Sequence, residues 1–128
     1  MGLQSIFILN METNYQTIIE QAYKSFNNRE IDNVLSLMTE DVRWPNGWEG
    51  GYVNGYTEVR DYWVRQWKEI NPVVTPVTIT NINDTTVDVA VQQLIKDKQD
   101  NILFNGVVHH VYSFDNGKIK CMEIQSTE

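Results

Sequence analysis

Val87-Asp88-Val89-Ala90-Val91 places a β-branched apolar residue at every second position. The same alternation marks Val73-Val74-Thr75-Pro76-Val77-Thr78-Ile79 before it and Val107-Val108-His109-His110-Val111 after it. A period of two sends alternate side chains to opposite sides of an extended backbone, and β-branched residues suit such a pleated surface. These segments therefore read as strands. Asn83-Asp84 separates the first two, Asp97 to Asn101 is a polar connection, and Asp115-Asn116-Gly117 supplies residues that accept positive φ in a tight hairpin. From Val73 onward the chain reads as a meander of four long strands.

Upstream of the meander the spacing is helical. Ile18, Ile19, Ala22, Tyr23 and Phe26 define an amphipathic helix from Thr13 to Asn28, with Thr13 or Asn14 as its N-cap. Ile31, Val34, Leu35 and Met38 mark a second, shorter one. Val59, Tyr62, Trp63, Gln66, Trp67 and Ile70 form the stripe of a third over residues 57–70, which Pro72 ends. Its other positions carry Glu58, Arg60, Asp61, Arg65, Lys68 and Glu69, the ordinary pattern of a solvated face. Between the second and third helices, Val42-Arg43-Trp44 reads as a brief strand stopped by Pro45. Three helices followed by a meander imply an α+β domain with its helices on one face of a curved, mostly antiparallel sheet.

With 128 residues, 41% of them hydrophobic and 21% charged, the chain suits one folded domain and lacks the composition of a disordered one. A formal charge of −7 opposes binding to phosphate backbones and to anionic membrane surfaces, so no nucleic acid or membrane partner is expected. The single cysteine, Cys121, permits no intrachain disulfide and reads as a strand residue. The opening stretch Met1 to Asn10 has an apolar patch without a basic flank or a cleavage-site pattern. It is expected to be an N-terminal extension, residues 1–10, to a single domain over residues 11–128 of a cytoplasmic protein.

Arg43-Trp44-Pro45-Asn46-Gly47-Trp48-Glu49-Gly50-Gly51-Tyr52-Val53-Asn54-Gly55-Tyr56 concentrates aromatic side chains in a glycine-rich segment between two helical regions. Such a segment offers large apolar area on a backbone free to turn sharply. It lines a ligand pocket, or it seals a small core or a dimer contact. Trp44, Trp48, Tyr52, Tyr62, Trp63 and Trp67, with Phe104, Val107 and Val111 from the sheet, are the candidate ligand-binding residues.

Ala22-Tyr23 through Asn28, Asp32-Asn33-Val34, Leu37-Met38, Asp41-Val42, Gly55-Tyr56-Thr57-Glu58-Val59-Arg60 and the closing His110 to Ile119 resemble the SnoaL-like branch of the nuclear transport factor 2-like superfamily. The resemblance extends from about Met11 onward. It implies a cone, with three helices in the concave face of a bent sheet and a deep, mostly apolar cavity at the wide end. It also implies a homodimer, here expected through the strand face that includes His110 and Tyr112. Members include ketosteroid isomerases, polyketide cyclases, dehydratases and transport adaptors, so the fold does not decide the activity.

Matched residue by residue, the steroid-isomerase mechanism is not supported. The isomerases' carboxylate base falls on Trp44, their first-helix tyrosine donor on Ala22, with Tyr23 turned about 100° away on the helix, and their second donor on His109. His109 is nonetheless the leading candidate for chemistry: if Val107 and Val111 face the cone interior, it does too, and an imidazole can shuttle protons near neutral pH. Glu49 and Asp61 are its candidate carboxylate partners. Neighbouring His109 and His110 point to opposite faces and no further ligands complete a set, so no metal site is expected, and no cofactor is implied. Three readings stay open: a cyclase, dehydratase or isomerase acting on a carbonyl compound, a non-catalytic pocket for a small apolar or aromatic ligand, and a homodimeric association module.

Overall fold

The computed structural model describes the backbone of residues 2–126 and the side chains of residues 15–125. Helices α1 (Gly2–Asn27) and α2 (Ile31–Leu35) precede strands β1 (Met38–Pro45) and β2 (Tyr52–Asn54). Helix α3 (Gly55–Glu69) then leads into β3 (Ile70–Asn83), β4 (Thr86–Asp97), β5 (Ile102–Asp115) and β6 (Lys118–Ser126). The six strands form one sheet in the order β2-β1-β6-β5-β4-β3, antiparallel throughout except where β1 lies parallel to β6. The four long strands of the meander are β3 to β6. The segment read as a brief strand at Val42–Trp44 runs from Met38 to Pro45, and the glycine-rich segment after it ends in a strand of its own, β2. The expected extension over residues 1–10 falls outside the described side chains.

One face of the sheet packs against the helices. Val87, Val89 and Val91 of β4 are fully buried and join Ile19, Ala22 and Tyr23 of α1, Val34 and Leu35 of α2, and Val59, Tyr62 and Trp63 of α3 in a single core. Asn27 ties the end of α1 to the edge strand: its Nδ2 donates to the Val74 carbonyl at 2.7 Å and its Oδ1 accepts from the Val74 N–H at 3.0 Å. The amide thus takes the place of a neighbouring strand's backbone. Arg29 adopts positive φ just beyond, which lets the chain leave the helix.

The pairing of β4 with β5 decides which way β5 faces. Val89 lies opposite His110 and Val91 opposite Val108, and cross-strand partners share a face. Val108, His110, Tyr112 and Phe114 therefore point into the concave side, whereas Val107, His109 and Val111 point away from it. This reverses the expected orientation of β5. The strand's own sequence carries valine in both registers, at 107 and 111 and at 108, so its alternation alone is ambiguous. The strand face with His110 and Tyr112 is consequently the helix-covered one and leaves no room for a second protomer. Among the described residues, no helix is long and apolar enough to cross a membrane.

Candidate ligand-binding site

Between α3, the loop after β1 and the wide end of the sheet lies a cavity of about 370 Å³. Trp48, Tyr62, Trp63, Phe104, Val108 and Met122 supply much of its wall, with His110 and Gln66 among the few polar groups. A smaller pocket of about 40 Å³ continues beneath it, lined by Ala22, Tyr23, Val34, Trp44 and Tyr112. That inner volume is of the order that one water fills. Phe26, Trp63, Val74 and His110 line both, so His110 stands where the cavity narrows into the pocket.

The rings around this neck fix one another. Trp63 meets Trp44 edge-on at 5.6 Å and Phe26 edge-on at 5.5 Å, and stacks on Trp67 at 5.8 Å between centroids. Offset-stacked and edge-to-face pairs of this kind add to the burial energy of each ring. The aromatic floor is thus a packed surface.

His110 is held by a chain of hydroxyls. The Tyr112 hydroxyl donates to Tyr23 Oη at 2.8 Å, and Tyr23 Oη lies 2.8 Å from His110 Nδ1. With Tyr112 donating, the Tyr23 hydroxyl donates in turn to Nδ1, and the proton of the neutral imidazole sits on Nε2. The opposite polarity would strand both the Tyr112 proton and the Nε2 lone pair, whereas this one leaves a single unmatched group. That group is Nε2, buried without a partner. Burial, aided by the neighbouring charge of His109, lowers the His110 pKa to about 4, so the ring is neutral at physiological pH. Burial likewise raises Tyr112 and Tyr23, which stay protonated. The neck therefore offers a neutral N–H donor at its apolar wall.

A second polar feature sits on the α3 side of the cavity. Gln66 Nε2 donates to the Tyr62 hydroxyl at 3.0 Å, the Trp48 N–H approaches the same oxygen at 3.3 Å, and Gln66 Oε1 is buried without a partner. Trp48 belongs to the loop after β1, which folds back through Asn46 N–H to Gly51 O at 2.9 Å and Gly50 N–H to Asn46 O at 2.8 Å. Gly50 and Gly51 both take positive φ to make that turn. Glu49 clasps the loop to α3 through a two-point pair with Arg65, at 2.8 and 3.0 Å, and also accepts from Asn46 Nδ2. The Arg65 and Asn46 hydrogen bonds hold the Glu49 carboxyl down to about 2.

Measured against this geometry, the candidate residues divide. Trp44, Trp48, Tyr62, Trp63 and Phe104 line the cavity or its inner pocket. Tyr52 does not: its hydroxyl donates to Glu123 at 2.5 Å and its ring lies under Arg43. Trp67 backs the floor from behind, against Phe26, Trp63 and Arg29. Val107 and Val111 sit on the outer face with His109, whose Nδ1 pairs with Asp88 Oδ1 at 2.9 Å there. Glu49 is taken up by the loop clasp and Asp61 is exposed on α3, so neither meets His109. The expected triad does not converge, because one inverted register turns its central member away. His110 and Tyr112 were missed for the same reason, whereas Tyr23 was set aside because the sequence match put Ala22 at the donor position of α1.

Residues 19–122 match the family model described as a SnoaL-like domain. Among curated proteins, no sequence matches the chain. Several solved structures are similar in fold. An NTF2-like protein of unknown function from Burkholderia pseudomallei superposes with a TM-score of 0.78 at 20% identity, over 88% of this chain and 90% of that one. The epoxide hydrolase/cyclase-like enzyme SalBIII, with a role in pyran ring formation in the polyether salinomycin, gives 0.76 at 16%, over 90% and 92%. A Mycobacterium tuberculosis protein in complex with estradiol-17beta-hemisuccinate gives 0.75 at 12%, over 87% and 92%.

Proposed function

The chain belongs to the SnoaL-like family, and from that premise we propose that it binds a small, largely apolar carbonyl compound inside the cone, with His110 Nε2–H donating to the carbonyl oxygen. One observation carries the reading: a buried donor without a partner at the neck of a mostly apolar cavity of about 370 Å³. An unpaired buried N–H costs about 1–3 kcal/mol, and a ligand oxygen placed there relieves that cost. The cavity size falls within the range usual for small-molecule sites, and a steroid derivative and a polyether-forming reaction are associated with two relatives of this fold.

The same residues argue for binding and carbonyl polarisation over proton abstraction. Among the described residues no carboxylate lines either cavity, and Trp44, which the sequence resemblance matches to the isomerases' base, lines the inner pocket. An imidazole with a pKa near 4 is a weak base at neutral pH. Any turnover would therefore rest on withdrawal of electron density by the Nε2–H donor, as in an oxyanion site.

Calorimetric titration of the matched pair tetralin and 1-tetralone tests the reading. The ketone binds about tenfold tighter to the wild type, and the advantage disappears in His110→Phe. Equal affinity for the two compounds in the wild type rejects it. We further propose a homodimer, now through the outer sheet face that carries Val73, Leu94 and Val107, of which Val73 is 42% and Val107 39% exposed. Sedimentation equilibrium that returns a monomer rejects the dimer.

A further inference from the structure

The α3 side of the cavity carries its own unmet hydrogen-bonding groups. Gln66 Oε1 is buried without a donor. The neighbouring Tyr62 oxygen receives both the Gln66 amide and the Trp48 N–H, which leaves the phenolic proton without an acceptor among the described residues. Both side chains line the same cavity as His110. Burial dominates the Tyr62 environment and raises its pKa, so that proton is present at neutral pH. A free acceptor beside a free donor is the complement of a hydroxyl group, which can give one hydrogen bond and receive another.

Resting on the carbonyl-binding reading above, we propose that Gln66 and Tyr62 form a hydroxyl-recognition site, so that the ligand class is a hydroxylated carbonyl compound bound with its carbonyl at His110 and its hydroxyl at Gln66 and Tyr62. The two polar sites fix orientation in a cavity whose apolar walls by themselves distinguish little. Loss of a matched hydroxyl leaves buried polar groups unpaired, and that penalty discriminates more strongly than a change in apolar contact.

The experiment is calorimetric titration of tetralin, 1-tetralone and the 5-, 6- and 7-hydroxy-1-tetralones into wild type, Gln66→Leu and Tyr62→Phe. In the wild type at least one hydroxytetralone binds about tenfold tighter than 1-tetralone. In Gln66→Leu that gain is lost, so that the hydroxytetralone and 1-tetralone bind that variant within about twofold of each other, and Tyr62→Phe reduces the gain in part. If 1-tetralone surpasses tetralin but no hydroxyl position helps, or if Gln66→Leu keeps the full gain, the hydroxyl site is wrong and carbonyl binding stands. If 1-tetralone does not surpass tetralin, the carbonyl reading fails and this inference falls with it.

Discussion

Acidification should destabilise the protein through one buried ring. His110 is 5% exposed and its pKa falls from 6.5 to about 4 on folding. Above pH 6.5 the ring is neutral in both states and contributes no pH dependence. As pH falls through the window from 6.5 to 4 the unfolded chain takes up a proton that the folded chain refuses, so stability declines by about 1.4 kcal/mol per unit. The cumulative loss by pH 4 is about 3 kcal/mol, a large share of a typical domain stability. Urea unfolding followed by tryptophan fluorescence at pH 7, 6, 5 and 4 measures it. His110→Asn is the control, since its Oδ1 can accept the Tyr23 hydroxyl and it does not titrate. The variant starts less stable at pH 7 because it leaves space, and the gap to wild type should close by about 3 kcal/mol at pH 4. Glu49 loses its charge-assisted bonds at lower pH in both proteins and cancels in the difference. Parallel stability curves for the two proteins would refute the reasoning.

Tyr23→Phe should cost about 2 kcal/mol in urea unfolding, because it leaves both His110 Nδ1 and the Tyr112 hydroxyl without a partner in the core; an unchanged midpoint contradicts the relay. Trp63 is 1% exposed and touches Trp44, Trp67 and Phe26, so Trp63→Ala should destabilise by about 3–5 kcal/mol. Arg65→Ala releases Glu49 and should leave the melting temperature nearly unchanged while speeding amide exchange at Gly50, whose N–H closes the loop onto Asn46; unchanged exchange would mean that the clasp does not hold the loop. Gly117→Ala meets no nearby atom but must adopt φ of +78°, and should cost about 1 kcal/mol by the same assay.

Much of this architecture is legible because the periodicity is clean. The valines of β4 alternate without exception and the three helical stripes carry the core, so layers and element order, β2 apart, follow from the sequence. The site is less legible, for reasons that differ by residue. In β5, valines in both registers hide the facing, which only the pairing of Val89 with His110 resolves. On α1, Ala22 and Tyr23 are both buried, so helical spacing could not say which reaches the neck. The alternation of β4, carried across to β5, was the signal that could have found His110. Gln66 was placed in the α3 stripe, but its role depends on a Tyr62 hydroxyl that also receives the Trp48 backbone. Glu49 pairs with Arg65 across sixteen residues, a contact made by the Gly50-Gly51 turn, which local spacing does not reveal. Local pattern thus set the frame, and long-range hydrogen bonds placed the polar groups inside it.

The central claim is that a neutral His110 presents Nε2–H to a ligand carbonyl, and ¹⁵N spectroscopy of histidine-labelled protein at pH 6.5 addresses it most directly. The account predicts that His110 appears as the neutral tautomer protonated at Nε2, and that 1-tetralone, but not tetralin, shifts that proton downfield. A proton on Nδ1, an imidazolium signal, or the same response to both compounds would contradict it.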